Sequence, residues 1–419
     1  MSNNKTIFIS IASYRDTELE PTIKDCIDKA KHPENLRFSI YRQFTQEDVN
    51  DDISKKYRDD PRFNITDIPC SESKGVCGIR HELQQQFADE DYILQLDSHH
   101  RFVQDWDQVS IDMIDQLKKK HSKPVLTAYL PSYEPDDRSK DVNIPWEMRF
   151  DRYLPQGPAM PKPETIDDHA KLKRPVRGYF LSGHFIFAEG EFYKQVTYDP
   201  ELYFHGEEIS LSIRAFTHGW DIFHPHKLVA WHHYTRAGSK RHWDDHGAVW
   251  DKLNNQSFSK YRKLVKIDKH TGELKHGLGK VRTLKQYVKY SGIDVTNKKI
   301  HKHNLDRQRP PLKYKAGEYQ QGFCKRVRYC IDLFKGAVPL EDYDVWVIAY
   351  KDADGVEIFR KDYNRSGIKT IVRSQDSDDN FYKLWAEFES ATEPVEWLVW
   401  PHSDSKGWCD QIVNKIGLG

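Results

Sequence analysis

Cysteine is scarce in this sequence, with six residues in a chain of 419. The pairs Cys70/Cys77 and Cys324/Cys330 lack the two-residue separation that is typical of zinc-binding cysteines. Cysteines this sparse also argue against a disulfide framework of the kind that small secreted domains use. We therefore expect reduced thiols that pack as small apolar side chains, and a cytoplasmic protein.

Long apolar runs are missing as well. The apolar run at Ile7 to Ala12 is soon followed by Arg15 and Asp16, and is shorter than the core of a signal peptide. No stretch approaches the roughly 20 apolar residues that a membrane span needs. Charged residues make up 31% of the chain and its mean hydropathy is −0.80, so an integral membrane protein is excluded.

The chain also lacks a net charge, because 64 basic residues balance 64 acidic ones. No global attraction to nucleic acid follows from this balance, and we expect no nucleic-acid partner. The charges are unevenly distributed, however. Residues 251–330 contain 21 Lys and Arg against 6 Asp and Glu, whereas residues 331–419 contain 10 against 17. The chain is therefore segmented.

Apolar runs and helical spacings alternate along the first hundred residues. Residues 6–12 are a continuous, β-branched apolar run, which is typical of a strand buried on both faces. Further elements are predicted as a helix at 19–30, a strand at 36–44, a helix near 46–57, a strand at 63–68, a helix at 78–87 and a strand at 91–97. This alternation predicts a parallel, Rossmann-like α/β sheet, which binds ligands at the carboxyl ends of its strands.

The rest of the chain divides into three stretches. The proline-rich residues 131–175 predict an ordered excursion or lid, before strand and helix patterns resume at 177–192, 205–220 and 227–236. From Tyr343 a second α/β pattern begins, with strands at 345–352, 356–363, 368–374 and 395–400 and a helix at 380–390. We predict a main α/β domain at 1–250, a basic extension at 251–335 and a small α/β accessory domain at 336–419.

The sharpest local feature is Asp97-Ser98-His99, which stands where the strand at 91–97 ends. Side chains two residues apart on an extended segment point to the same side. One carboxylate oxygen and one imidazole nitrogen are thus offered to a divalent cation such as Mn²⁺. Asp-x-Asp sequences elsewhere do not end a buried strand and are better explained as helix caps or turns.

The segment LQLDSHHRF, residues 94–102, resembles the Asp-x-His metal motif of nucleotide-sugar glycosyltransferases with the GT-A fold, notably the polypeptide GalNAc transferases. Three later blocks resemble these enzymes in the same order: LSGHFIFAEGEF at 181–192, YDPELYFHGEEISLSIRAF at 198–216 and HPHKLVAWHHYTR at 224–236. The SYRD start at 13–16 and the DSHxRF form are more similar still to the cytoplasmic GlcNAc transferase family that modifies hydroxyproline in eukaryotes. The resemblance covers about residues 5–240.

The resemblance implies a GT-A domain followed by the small C-terminal α/β domain, and a retaining, metal-dependent transfer of GlcNAc or a related sugar. Its donor would be a UDP-sugar and its cofactor a divalent cation, with Mn²⁺ favoured over Mg²⁺. Asp97 and His99 would hold that cation. A third ligand is expected from the strand at 227–236, where the His-x-x-Arg spacing selects His233 and the His-x-Tyr-x-Arg register selects His232. We favour His232 and keep both.

The resemblance also assigns residues around the donor and the acceptor. Glu207 is expected to bind a sugar hydroxyl and Glu208 to contact the acceptor, although both carboxylates equally suit the positive end of a helix. The segment from Arg236 to His246, which includes Trp243, is expected to close over UDP. The remaining donor-binding candidates are Ala12, Ser13, Tyr14, Arg15, Arg80, Ser98, Gly183 and His184.

The acceptor is defined less well than the donor. A glycan or protein hydroxyl fits the resemblance, and the net charge of +15 in 251–330 would attract an anionic acceptor. Residues 331–419 are expected to serve acceptor docking or assembly, including assembly as a homo-oligomer. Two alternatives are a metal-dependent hydrolase or nucleotidyltransferase, which would need more clustered carboxylates, and a carbohydrate- or nucleic-acid-binding protein that uses the basic segment without catalysis.

Overall fold

The computed structural model describes residues 5–48, 53–154, 156–236, 239–246, 250–312, 317–322, 324–374, 380–390 and 392–416. The chain divides into two compact units. One comprises Met1–Phe150 and Gln156–Gln320, and the other Asp151–Pro155 and Gln321–Gly419. The basic residues up to Gln320 therefore group with the N-terminal unit. The domain boundaries at 250 and 335 remain predictions from the sequence.

Short strands and helices make up much of both units. The first strands are β1 (Ile7–Tyr14), β2 (Leu36–Phe44), β3 (Phe63–Pro69), β4 (Tyr92–Asp97), β5 (His100–Phe102), β6 (Pro124–Thr127), β7 (Trp146–Tyr153), β8 (Ala159–Thr165), β9 (Val176–Arg177), β10 (Phe185–Glu189) and β11 (Asp221–His224). The later strands are β12 (Ala230–His232), β13 (Ile293–Asp294), β14 (Lys299–His301), β15 (Tyr319–Gln321), β16 (Cys324–Phe334), β17 (Tyr343–Lys351), β18 (Glu357–Asn364), β19 (Phe381–Ser390), β20 (Glu396–Ser403), β21 (Gly407–Trp408) and β22 (Ile412–Lys415). The helices are α1 (Leu19–Lys29), α2 (Ile53–Lys56), α3 (Val76–Gln85), α4 (Trp106–Lys118), α5 (Glu191–Gln195), α6 (Glu207–Thr217), α7 (His242–Asp245), α8 (Trp250–Leu264), α9 (Leu284–Ser291), α10 (Lys302–Leu305) and α11 (Arg365–Ser374).

The N-terminal unit is built on an eight-stranded sheet in the order β3-β2-β1-β4-β10-β6-β11-β9. The predicted α/β, GT-A-type fold is confirmed, and β1 to β4 run parallel as expected. Beyond these four strands the sheet is mixed, since β10 runs antiparallel to both β4 and β6, and β9 antiparallel to β11. The chain reaches β10 from β6 through residues 128–184, which include β7, β8 and β9. A connection of this length leaves the direction of the next strand open.

Helices cover both faces of this sheet, which explains why β1 and β4 are apolar at nearly every position. Ile7, Ile9 and Ile11 pack with the apolar stripes of α1 and α4 on one face. Phe8 and Ile93 point to the other face, where α3, α5 and α6 supply the packing partners. Strands with two buried faces show continuous apolar runs instead of alternation.

The predicted helix near 46–57 is described only in part. The structure has one turn of 3₁₀ helix at Gln46–Asp48 and the short helix α2, and residues 49–52 lie outside the described residues.

The described part of the C-terminal unit contains antiparallel strands and the helix α11. β17 is central and pairs with β18 and β20, β20 also pairs with β21 and β22, and β16 pairs with β19. Two predictions are wrong here. Residues 368–374, predicted as a strand, lie in the helix α11, and residues 380–390, predicted as a helix, include the strand β19. The buried residues Leu384, Ala386 and Phe388 alternate with exposed ones, which is the period of a strand and outweighs the helix propensity of Leu, Ala and Glu.

The helices and the cysteines bear on two further expectations. Within the described ranges, every helix is too short or too polar to cross a membrane. The cysteines whose side chains are described, namely Cys26, Cys70, Cys77, Cys330 and Cys409, are free thiols, as predicted.

Candidate active site

Three ligand-type side chains meet at the carboxyl edge of the main sheet. Asp97 ends β4 opposite Ala12 of β1, His99 follows two residues later, and His232 ends β12. β12 pairs with β5, which begins directly after His99, so this pairing brings His232 close to His99. One ligand atom from each side chain lies within 4.8 Å of the other two. This spacing suits a single divalent cation held by one oxygen and two nitrogens.

His232, and not His233, belongs to this cluster. Its Nε2 lies 3.5 Å from Asp97 Oδ2. Both of its ring nitrogens are buried and have no hydrogen-bond partner among the described residues. His233 turns instead towards Glu134, with 3.5 Å between His233 Nε2 and Glu134 Oε2. Buried, unbonded imidazole nitrogens are costly in a folded protein, and a bound cation would satisfy one of them.

Asp16 orients the first histidine of the cluster. Its Oδ2 lies 2.7 Å from His99 Nδ1 and accepts a hydrogen bond from Ser98 Oγ at 2.7 Å. The Arg236 guanidinium lies 3.1 Å from the same oxygen. Because Nδ1 is hydrogen-bonded to this carboxylate, Nε2 is left available to bind a cation. Metal-binding histidines are commonly oriented in this way. Asp16 is not among the site residues predicted from the sequence, although it closes the SYRD motif.

Arg80 forms a buried bridge between two carboxylates. Its Nη2 donates to Asp97 Oδ1 and its Nη1 to Glu207 Oε1, both at 2.7 Å. The Tyr198 hydroxyl donates to the same Glu207 oxygen at 3.0 Å. Arg80 is thus not a solvated helix residue; its guanidinium fixes Asp97 and Glu207 in position.

Gly183 and Gly206 allow this bridge to form. A Cβ on Gly183 would lie 2.5 Å from Arg80 Nη1 and 2.9 Å from Glu207 Oε1, so only glycine fits there. Gly206 has a φ of 92° and starts α6, which places Glu207 and Glu208 at the positive end of the helix.

Glu208 forms a second polar group beside the first. Its Oε1 accepts a hydrogen bond from the Gly183 amide at 2.8 Å, and its Oε2 lies 2.5 Å from the Tyr129 hydroxyl. Burial and the neighbouring Glu207 carboxylate raise the pKa of Glu208 to about 8. The Glu208 carboxyl is therefore mostly protonated at neutral pH, when it is able to donate a hydrogen bond.

This raised pKa predicts a pH dependence of stability. The folded chain keeps the Glu208 proton up to about pH 8, whereas an unfolded glutamate releases it near pH 4.3. Between these two pH values the folded state therefore binds more protons than the unfolded state. The contribution of Glu208 to the free energy of unfolding falls as the pH rises, by up to about 1.4 kcal/mol per pH unit. Glu208→Gln should flatten this fall in denaturant titrations between pH 5 and 8. The exposed Glu273→Gln is the control and should keep the wild-type slope; equal slopes for all three chains would contradict the prediction.

A cavity of about 500 Å³ opens in front of these groups. It is lined by the predicted residues Ala12, Tyr14, Arg80, Asp97, Ser98, His99, Gly183, His184, Glu207, Glu208, His232, His233 and Arg236. Ser13 and Arg15 are also predicted site residues but do not line it. Ser13 is buried, and Arg15 pairs with Asp48 and Asp245.

The segment after β12 borders this cavity. Asp245 accepts a hydrogen bond from the Tyr14 hydroxyl at 2.7 Å, and His242 Nδ1 lies 2.7 Å from the Tyr203 hydroxyl. Lys240, Arg241 and His242 line the cavity together with Arg236. Residues 237–238 and the side chain of Trp243 lie outside the described residues.

The α/β sheet thus carries a carboxylate–imidazole cluster in a cavity at its carboxyl edge, where sheets of this kind bind ligands. The sequence model of the family described as Glycosyltransferase (GlcNAc) matches residues 6–61 and 53–297, which is more than half of the chain. This protein therefore belongs to the Glycosyltransferase (GlcNAc) family. No curated protein matches its sequence.

Several solved structures are similar to this chain. A structure of GalNAc-T7 with UDP, GalNAc and Mn²⁺ matches with a TM-score of 0.45 at 14% identity over 68% of this chain, which spans about half, 54%, of that protein. Residues 1–349 of S. aureus TarS match with a TM-score of 0.38 at 13% identity, over 64% of this chain and 75% of that one. The mannosyltransferase PcManGT from Pyrobaculum calidifontis, in complex with GDP-Man and Mn²⁺, matches with a TM-score of 0.39 at 9% identity, over 65% and 67%.

Proposed function

We propose that this protein transfers GlcNAc, or a closely related sugar, from a UDP-sugar to a hydroxyl group of a glycan or protein, with a divalent cation and with retention of the anomeric configuration. The observation that carries the proposal is the Asp97, His99 and His232 cluster, which faces a cavity beside the Arg80–Glu207 bridge. The family to which the chain belongs is described by GlcNAc transfer, which supports the choice of sugar.

The cation is proposed to sit among Asp97, His99 and His232. The donor set of one carboxylate and two imidazoles suits Mn²⁺ and, less well, Mg²⁺, which prefers oxygen ligands. When bound, such a cation neutralises the charge that develops on the departing UDP. Asp16 holds the His99 ring and Arg80 holds the Asp97 carboxylate, so two of the three ligands are fixed before the cation binds.

The sugar is proposed to lie against Gly183 and α6. The main chain approaches closely at Gly183, because no side chain intervenes. Glu207 has one carboxylate oxygen tied to Arg80 and Tyr198 and is proposed to accept a hydrogen bond from a sugar hydroxyl with the other. Glu208, protonated at neutral pH, is proposed to contact the acceptor. We assign no carboxylate nucleophile, since stabilisation of the leaving UDP is the main rate-enhancing effect.

Arg236 and the segment up to His246 are proposed to cover the diphosphate. Arg236, Lys240 and Arg241 bring three cationic side chains to the cavity wall. Asp245 fastens the segment to Tyr14 and Arg15, beside the end of β1. Tyr14 and Arg15 are thus proposed to act through this contact and to frame the uridine only indirectly.

The acceptor is proposed to carry negative charge. An open groove in the basic part of the N-terminal unit is lined by Lys263, Lys266, Lys269 and Lys275. Its two acidic residues, Asp268 and Glu273, pair with Arg262 and Lys280. Among the described residues, none of the four lysines has a carboxylate within 4 Å. An anionic glycan or an acidic protein segment would satisfy them. Its binding is expected to weaken steeply between about 50 and 200 mM salt.

The experiment that tests the proposal measures UDP release from UDP-GlcNAc, UDP-GalNAc and UDP-glucose, with and without Mn²⁺. We expect UDP-GlcNAc to be cleaved at least about tenfold faster than UDP-glucose, because a polar site rejects analogues that leave its groups unpaired. EDTA should abolish release and Mn²⁺ should restore it better than Mg²⁺. Equal release in EDTA would contradict the metal site, and faster release from UDP-glucose would contradict the assigned sugar. NMR of the product should show an α linkage; a β linkage would contradict retention.

A further inference from the structure

Two tryptophans and a histidine share one face of the antiparallel sheet in the C-terminal unit. Trp400 and His402 are two residues apart on β20, so both point to the same side. Trp408 of β21 is directly opposite His402 and therefore joins them on that face. We call Trp400, His402 and Trp408 the tryptophan platform.

The platform is held rigidly although it is open to solvent. Trp408 is 50% exposed, and its ring lies 4.4 Å from that of Trp400 and 5.0 Å from that of His402. Trp400 is fixed because its Nε1 donates to the Cys409 carbonyl at 2.9 Å. An exposed tryptophan in a fixed orientation has already lost its rotamer freedom, so a ligand that stacks on it meets little further entropy cost.

A charged group stands at the edge of the platform. The pairing of β17 with β20 shifts register between Tyr343 and Val345, and Asp344 lies at this irregularity. Its Oδ1 is 2.6 Å from His402 Nδ1. Irregularities of this kind re-aim a side chain, and here the result is a carboxylate–imidazole pair beside the indole of Trp408.

We propose that the tryptophan platform binds a pyranose ring of a neutral glycan chain. The apolar C–H face of a pyranose stacks on an indole, whose face carries partial negative charge. The Asp344–His402 pair then offers a donor and an acceptor to the ring's hydroxyl groups. This binding site is separate from the transferase site and does not depend on the proposed function.

A protein partner fits the same surface less well. A stable protein interface buries about 800 Å² on each side. A fully buried aromatic side chain contributes only about 150–250 Å², so two partly exposed indoles fall far short of that area. The charged pair at the edge would also lose its water without compensation against an apolar partner.

The test measures binding of chitohexaose, cellohexaose and maltohexaose to the full chain by calorimetry and tryptophan fluorescence, without UDP-sugar or metal. We expect at least one hexasaccharide to bind, and Trp408→Ala to weaken that binding about tenfold or more, as truncation of an anchoring aromatic residue does. His402→Ala should weaken it less, because it removes only the polar edge. The matched control is Trp385→Ala: Trp385 is 51% exposed in the same unit, but Arg328 covers it at 4.5 Å, so binding should be unchanged.

Three results would overturn the inference. One is the absence of binding for all three hexasaccharides, and another is equal weakening in Trp385→Ala and Trp408→Ala. The third is self-association of the wild-type chain in sedimentation that Trp408→Ala abolishes, since the platform would then be a protein interface. Asp97→Ala should bind the hexasaccharide like the wild-type chain, which separates failure of this site from failure of the transferase proposal.

Discussion

Replacing His232 with alanine should lower the rate of UDP release about 10³-fold, whereas replacing the adjacent His233 with alanine should change it less than about threefold. His232 contributes one of three ligand atoms within 4.8 Å of one another, and His233 faces Glu134 instead. Loss of one ligand removes the cation and the several kcal/mol of transition-state stabilisation that it supplies, and about 4 kcal/mol corresponds to 10³ in rate.

Binding measurements separate this effect from misfolding. Titration of Mn²⁺ followed by electron paramagnetic resonance should show a bound ion in the wild-type chain and in His233→Ala, but not in His232→Ala. The fold of His232→Ala should survive, because neither ring nitrogen of His232 makes a hydrogen bond within the described part of the chain. If His233→Ala instead loses the ion, the third ligand is His233 and the assignment is wrong.

The sequence alone predicts the site residues that stand together at the end of a single strand. Asp97 and His99 stand at the end of a continuous apolar run, so both the strand end and the shared side of the two residues can be inferred locally. The choice between His232 and His233 cannot be inferred locally, because it depends on the pairing of β12 with β5, in which His232 lies opposite His100. Strand pairing is a long-range property that neither residue's neighbours reveal.

Partners that approach from distant parts of the chain cannot be inferred locally for the same reason. Asp16 binds His99 across 83 positions of sequence, and Tyr198 meets Arg80 across 118. The sequence predicts that Arg80 touches the donor, but its role in fixing Asp97 and Glu207 follows only from the folded sheet. A sequence pattern indicates which residues could take part in chemistry, whereas it does not show which of them bind each other.

The fold likewise has elements that the local sequence predicts and others that depend on distant parts of the chain. The first four strands of the sheet are predicted within two residues of their bounds, since buried apolar runs are strong local signals. The direction of β10 is not predicted, because it depends on how residues 128–184 cross the sheet. In the C-terminal unit, Ile368 and Ile371 stand at helical spacing in α11, but their β-branched side chains favour the prediction of a strand.

Arg80→Met should destabilise the fold by about 3–5 kcal/mol, because it leaves the buried Glu207 and the partly exposed Asp97 without their shared cation. This loss corresponds to a fall in melting temperature of about 5–8 °C for a unit of this size. UDP release should also fall at least about 100-fold at temperatures where the variant remains folded, since Asp97 is no longer oriented for the cation. Thermal unfolding and UDP release measure the two effects independently.

Arg42→Met provides the matched control. Arg42 forms a bidentate ion pair with a single carboxylate, Asp67, which lies outside the cavity. That pair is partly exposed, so its loss should cost no more than about 1 kcal/mol. Combining Arg80→Met with Glu207→Gln should recover part of the lost stability, since one of the two unpaired carboxylates is then neutral. It should not recover UDP release, because Asp97 still lacks its partner. If the single Arg80 variant is as stable as the Arg42 variant, the bridge does not hold the site together, and Arg80 acts on the donor alone.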